Sequence, residues 1–444
     1  MRSLRLFLWA MTSALAGFLF GFDTIVISGA EQKIQKLWSL SPFLHGLTMS
    51  SALWGTVLGS CLGGWPTERF GRRPTLIGVG ALYFVSAVWS GLATGPYALM
   101  AARFIGGLGV GCATVASPLY ISEISPADRR GRLAGLFQFN IVLGILVAFA
   151  SNFLLARHLD PEIAWRWMLG AEAFPALLYT LLCLFLAESP RWLIAHAGRR
   201  DAGEAVFRRI NPGMPDAEIA ALADSVERSV GDRETASPLF TARLRKPILL
   251  AVLIAAFNQL SGINAVLYFA PRIFEWTGLA KQAALLESVG VGLTNLVFTY
   301  VGLFLIDRLG RRTLLTLGSF GYIGSLGLCA WAFATRQYAI VPYCIFAFIA
   351  AHAVGQGAVI WVFLSEIFPN RNRAAGQALG SFTHWLFASS ITLVFPKMAE
   401  ALPPAAIFGF FCLMMVLQLA WVRLSVPETK GVPLEQLQKQ LGLV

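Results

Sequence analysis

Charge is scarce in this chain. Of its 444 residues, 13% are Asp, Glu, Lys or Arg, where a soluble domain carries about a quarter. A soluble globular protein of ordinary make-up is thereby excluded. Cysteine is scarce too. The six (Cys61, Cys112, Cys183, Cys329, Cys344 and Cys412) all fall in apolar stretches, with no Cys-x-x-Cys spacing. That pattern argues against disulfides and zinc sites and favours buried small apolar side chains. No metal-ligand cluster, nucleophile–base arrangement or phosphate-cradling loop appears, so neither an enzyme nor a bound metal or cofactor is expected.

Acids are the rarer charge, 24 against 35 Lys and Arg, for a net charge of +11. Such basicity suggests nucleic acid until its distribution is read. With both termini placed on one side of a membrane, that side collects 26 Lys and Arg, the other side 8, and Arg103 lies inside a span. This is the positive-inside bias, so the termini are expected in the cytoplasm and no nucleic acid as partner.

What the chain has in abundance is apolar sequence, 56% of it, with a mean hydropathy of +0.65. Twelve stretches approach the length of about 20 residues that crosses a bilayer. They are residues 7–30, 44–65, 74–93, 97–119, 132–156, 165–187, 246–271, 283–306, 312–334, 338–365, 374–397 and 403–425. The expectation is an all-α, multi-pass protein of the cell membrane with twelve transmembrane helices. Arg2, Arg5 and Ala14-Leu15-Ala16 imitate a cleavable signal, but the apolar run continues past them, as an uncleaved first helix would.

The chain also repeats itself. "RFGRR" at 69–73 returns as "RLGRR" at 308–312, and "SEISP" at 122–126 returns as "SEIFP" at 365–369. "ESPR" at 188–191 has an echo in "PETK" at 427–430. The offsets are 239, 243 and 240 residues, which indicates a duplicated six-helix unit. The expected organisation is one unit over 1–187, a cytoplasmic linker over 188–245, a second unit over 246–425 and a tail over 426–444. Helical apolar spacing at 199–210 and 216–230 predicts short helices in the linker.

The paired RxGRR loops, "PLYISEISPADRRGR", "AESPRWL", "NQLSGINAVLYF" and "VPETKG" together resemble the sugar porter family of the major facilitator superfamily. Bacterial proton-coupled monosaccharide symporters and animal facilitative glucose transporters are its members closest in character. The resemblance implies the major facilitator fold, in which two six-helix halves work around a central site. It also implies a charge network closing the cytoplasmic side, built from Glu68, Arg69, Arg72, Arg73, Glu123 and Arg130 in the first half. Asp307, Arg308, Arg311, Arg312, Glu366 and Arg373 are their counterparts in the second. Glu68 stands where the family pattern has Asp. Topology alone would need only the positive charges; the acid followed seven residues later by Arg in both halves argues for a network.

Within the spans, uncharged amides are the informative polar class. An amide both donates and accepts, as a sugar hydroxyl does, and a tryptophan face covers the C–H surface of a pyranose. The resemblance places sugar contacts at Gln138, Gln259, Asn264, Asn295, Trp361 and Trp385, with Phe20 nearby and Tyr268 as the seventh-helix aromatic. Asn258 and His384 depart from the family pattern, as do Ala358 and Ile360 where tenth-helix prolines are usual. His384 is open to reading as ligand, titrating group or packed core residue. Asn140 reads as an inter-helix hydrogen bond.

Three ionisable side chains fall within first-half spans: Asp23, Arg103 and Glu172. Each costs about 2.5–3.5 kcal/mol at mid-membrane, so such residues pair and mark functional sites. The family's proton symporters have Asp in the Asp23 place and its facilitators a neutral residue, which points to a proton site. The expected activity is proton-coupled uptake of a neutral monosaccharide, a hexose such as glucose, by a monomer in the bilayer. A uniporter with a structural Asp23, a pentose or inositol transporter, and a membrane sugar sensor stay open as alternatives.

Overall fold

The computed structural model describes residues 4–126, 129–231 and 238–432, with 437, 439 and 441 of the tail. Helix is the only regular secondary structure among the described residues. Ten helices are long and apolar enough to cross a membrane by length and composition. Two further crossings complete the twelve-helix major facilitator fold, and each escapes that criterion for a visible reason. The second span, Pro42–Leu62, is diluted by Gly, Ser, Thr and His45. The sixth is broken into Pro161–Gly170 and Ala173–Cys183 by a turn at Ala171-Glu172.

The remaining spans are Leu4–Val26 with a continuing turn Ile27–Gly29, Arg72–Leu92, Pro96–Ile124, Arg130–His158, Lys281–Leu309, Arg311–Thr335, Arg373–Ala401 and Pro404–Ser425. The seventh and tenth are interrupted. The seventh runs as Arg245–Leu260, Ile263–Tyr268 and Ala270–Glu275. The tenth runs as Val341–His352, a π-helical turn Ala353–Gly357, and Ala358–Glu366. That π-turn ends just before Ala358 and Ile360, where the family usually has proline, so the tenth span is interrupted by a register insertion and not by proline.

Helix starts follow local chemistry. Of the six spans that enter from the end opposite the basic loops, five carry proline in the first turn, at Pro42, Pro96, Pro161, Pro342 and Pro404, and the eighth begins on Lys281. Proline in the first turn forfeits no hydrogen bond and presets φ. At the other end, hereafter the basic end, the two predicted linker helices are present as Arg200–Ile210 and Asp216–Gly231, preceded by a third, Pro190–Ala195, that was not predicted. Their buried Leu193, Val206, Phe207, Ile210 and Ile219 join a core with Leu6, Ala10 and Tyr120 of the first six spans.

Buried apolar side chains form three clusters, and their placement is uneven. At the basic end the first six spans and the last six have separate cores, one around Leu76, Tyr120 and Phe207, the other around Leu314, Phe363 and Val422. Toward the opposite end one cluster holds Phe22, Ile34, Trp165 and Phe149 together with Ile263, Tyr268, Phe274 and Trp385. The two sets of spans are thus fused at one end and distinct at the other.

Gly262 opens the middle piece of the seventh span in a left-handed conformation, φ +86°. A Cβ there would stand 2.6 Å from the Phe411 ring. Gly262→Ala combines backbone strain with overpacking and is expected to cost ~1–3 kcal/mol. A fall in melting temperature of the detergent-purified protein checks this, and an unchanged value would contradict it.

Candidate functional site

Asp23 and Arg103 meet inside the first six spans. Both are 1% exposed. An Arg103 Nη1–H donates to Asp23 Oδ1 at 2.5 Å, and Nη2 donates to the Asp23 backbone carbonyl at 2.6 Å. The second carboxylate oxygen, Oδ2, accepts no protein N–H or O–H, nor does Oε1 of Glu172, and the two carboxyls lie within hydrogen-bonding reach of each other. Glu172, also 1% exposed, sits in the turn that breaks the sixth span. Asp23, Arg103, Glu172 and the Tyr83 hydroxyl act electrostatically on one another. Tyr268, on the short middle piece of the seventh span, lies within electrostatic reach of Asp23 and Arg103 as well.

A second polar cluster lies where the two sets of spans face each other. Asn264 Nδ2 donates to Gln259 Oε1 at 2.7 Å, and Gln259 Nε2 donates to Asn258 Oδ1 at 2.8 Å. The same Gln259 nitrogen stands 3.2 Å from His384 Nε2, so the ring accepts from the amide there. His384 lies against both tryptophans, with centroids 5.1 Å from Trp361 and 4.9 Å from Trp385. Phe20, from the first span, reaches across to Trp385 at 5.4 Å. The break after Gln259 is what lets Asn258, Gln259 and Asn264 converge, since the turn at Ser261-Gly262 reorients the chain between them.

Two polar atoms in this region are buried without protein partners, Trp385 Nε1 and the Tyr268 hydroxyl. Buried hydrogen-bonding groups are nearly always satisfied, so these are places where a ligand's hydroxyls fit. Asn295 is 6% exposed on the eighth span, 3.4 Å from the Thr299 hydroxyl, and Gln138 is half-buried on the fifth. Asn140 donates to Leu136 O of its own helix and approaches Met11 Sδ.

The basic end carries a pair of matched constructions. Gly71 and Gly310 adopt φ +100° and +90°, and each opens a span. Arg72 clasps Glu123 with Nε at 2.9 Å and Nη2 at 2.7 Å, while Arg311 clasps Glu366 at 3.1 and 2.7 Å. Each clasp joins residues of the same six-span set. Asp307 is exposed and lies 3.6 Å from Arg311, and Arg308 stacks on Phe304. Glu68 and Arg69 are exposed; Arg373 is half-buried, its Nε without a partner. The Arg130 side chain lies outside the described residues.

Sequence reasoning left two acids out of this set. Glu188 accepts from the backbone N–H of Arg72 at 2.9 Å and of Arg73 at 3.2 Å. Glu428 accepts from those of Arg311 and Arg312 at 2.9 and 3.0 Å. Each places a carboxylate on a helix N-terminus, where free N–H groups and the macrodipole favour negative charge. The signal was the 240-residue echo of "ESPR" in "PETK". For Glu188, burial pushes the carboxyl above its ordinary range, against the backbone N–H groups of Ser189, Arg73 and Arg72. For Glu428, burial pushes the same way, but the N–H groups of Lys430, Arg311, Arg312 and Thr429 outweigh it and hold the carboxyl low.

The comparisons decide the family. Residues 9–441 match the family model for "Sugar (and other) transporter". The arabinose-proton symporter of Bacillus subtilis is 34% identical, over 96% of this chain and 93% of that protein. The D-xylose-proton symporter of Escherichia coli is 34% identical over 96% and 94%. This chain belongs to the sugar porter family. Among solved structures, the inward open conformation of the E. coli xylose transporter XylE superposes on this sugar porter with a TM-score of 0.88, at 31% identity, covering 98% of this chain and 99% of that one. XylE bound to 6-bromo-6-deoxy-D-glucose gives a TM-score of 0.81 at 31% identity, over 99% and 100%. This sugar porter is accordingly a multi-pass membrane transporter and not an enzyme.

The two capping acids give opposite pH signatures. Glu428, held low, contributes stability at neutral pH that persists through about 4.3, where an ordinary Glu protonates, and is lost only below it. Glu188, held high, favours its protonated form, so its contribution is present at low pH and is lost as pH rises through the raised value. E428Q is therefore expected to lower the melting temperature at pH 7 more than E188Q, with the gap closing on acidification. Equal losses at both pH values would contradict the assignment.

Proposed function

We propose that this sugar porter carries a neutral monosaccharide into the cell together with a proton, a hexose such as glucose being the leading substrate. The observation that carries the proposal is the buried Asp23–Arg103 pair, which leaves Asp23 Oδ2 open and Glu172 close by in a helix break. The named activities of the relatives support it: an arabinose-proton symporter, a D-xylose-proton symporter and a glucose transport protein.

The chemistry runs as follows. A guanidinium beside a carboxylate favours its ionised form, and loss of that contact in a dry site favours the protonated one. Proton uptake on Asp23 weakens the hold of Arg103. Tyr268 transmits this to the seventh span, which also bears Asn258, Gln259 and Asn264. The amides take the sugar's hydroxyls, Gln138 and Asn295 from the flanking helices add to them, and Trp361, Trp385 and Phe20 cover its apolar face. His384 orients Gln259 by accepting from it. The two six-span units, 1–187 and 246–425, then rock about the site, with the termini and the 188–245 linker in the cytoplasm. Sugar and proton each drive the swing only by binding its two states unequally. Arg72–Glu123 and Arg311–Glu366 hold each unit's cytoplasmic loops rigid, and the monomer suffices.

One observation favours a second reading. Arg103 also grips the Asp23 backbone carbonyl, as a static packing contact would, and a uniporter needs no more than that. Asp23→Asn in proteoliposomes separates the two. Symport predicts that uphill uptake driven by a pH gradient is abolished while counterflow exchange survives; retained accumulation would overturn it. For the substrate, a competition panel against labelled glucose is expected to rank hexoses above pentoses and inositols, and Gln259→Ala to weaken that competition ~10-fold or more, as losing a buried hydrogen-bonding partner does.

A further inference from the structure

We infer that Glu31 and Arg272 form a latch that holds the end opposite the basic loops closed, and that they are positioning residues for transport. The inference rests on the rocking of two six-span units described above, but on residues that neither the sugar site nor the proton pair uses.

Glu31 begins the short helix Glu31–Leu37 after the first span, and Arg272 lies in the last piece of the seventh, so the two come from different units. Glu31 is fully buried although it directly follows the first span, and Arg272 is half-buried, its side chain 17% exposed. Arg272 grips it as a fork, Nε to Oε1 at 2.9 Å and Nη2 to Oε2 at 2.7 Å. The same Nη2 donates to Gln35 Oε1 at 2.5 Å, and His45 Nε2, at the head of the second span, lies 2.9 Å from Glu31 Oε2. His45 is itself fully buried, its ring edge toward Phe269, which stacks on Phe395 at 4.7 Å between centroids. Trp276 also stacks on Phe395, at 6.2 Å between centroids. One residue beyond His45, a Cβ on Gly46 would fall 1.9 Å from the Leu393 carbonyl oxygen, so the second and eleventh spans meet backbone to backbone.

A desolvated ion pair adds little to stability over an apolar pair of the same size, yet removing one member is strongly unfavourable, because the other is left charged and dry. Such a pair therefore specifies an arrangement. With the ends together the fork is complete and water is excluded; with the ends apart each ion is hydrated. Half-open arrangements, in which contact is lost before water enters, are penalised, which makes closure a two-state event. Cutting one partner reverses the preference, since the orphaned charge is relieved by opening.

Spin-label distances test this. Thr94 and Gln337 are exposed at this end, one on each unit. Labels at T94C and Q337C are attached in protein whose own six cysteines are replaced. The parent is expected to show mainly the short, closed distance. R272Q, which orphans the fully buried Glu31, is expected to raise the ratio of long to short distances by about tenfold or more, and E31Q, which orphans the part-exposed Arg272, to raise it by less. R272K, which keeps the charge without the fork, is expected to open less than R272Q. E31Q/R272Q, which strands no charge, is expected to open more than the parent but less than the two single effects combined. Unchanged distances in monodisperse E31Q and R272Q overturn the latch. If neither single variant folds, the double variant decides, and a parent-like distribution there overturns it too. The distances need neither sugar nor a pH gradient, so a failed uptake assay with shifted distances refutes the proposed substrate or coupling and spares the latch. Intact coupled uptake with unmoved distances does the reverse.

Discussion

An ion buried in a protein that itself lies in lipid has no water within reach, and this constraint organises the molecule. Asp23, Arg103, Glu172 and Glu31 are all removed from solvent, and each acid is placed where a guanidinium, a helix break or another unit can answer it. Elsewhere the same need is met locally: Arg72 and Arg311 fork onto Glu123 and Glu366 within their own units, and Glu188 and Glu428 take up the free N–H groups that start the third and ninth spans.

The duplicated loops then read as two copies of one rigid corner. A positive-φ glycine turns the chain, an arginine fork ties it to the neighbouring helix end, and a carboxylate caps the next helix. Since both clasps stay within a unit, the corners keep each six-span set intact while leaving the basic end divided. The polar amides sit at the junction, reached from the first span by Phe20 and from the seventh, tenth and eleventh by Asn264, Trp361 and His384.

Much of this was legible in the sequence because membrane helices announce themselves by length and apolarity, and because a duplicated chain labels its corners twice. The twelve spans and the linker helices follow from such signals, whereas the meeting of Gln259 and Asn264 with the two tryptophans was implied by the family resemblance. The second and sixth spans, expected at 44–65 and 165–187, are legible as well, although small polar residues dilute the one and the turn at Glu172 breaks the other. The π-turn at Ala353–Gly357 was invisible, because proline is the only bend that a sequence states outright. Glu31 and Arg272 were missed for a different reason. Each lies near a span end, where a charge normally snorkels to water, and only the packing of the fold, with His45 set against Phe269, leaves Glu31 dry there.

The uneven division of apolar cores has a thermodynamic consequence. One cluster runs through both sets of spans away from the basic loops, whereas near those loops the clusters are separate. Any motion that parts the shared cluster wets apolar surface and so raises the heat capacity of the molecule. The balance between the two orientations of such a carrier bends with temperature instead of tracing a straight van't Hoff line, and cooling loosens the fused end by weakening the force that seals it.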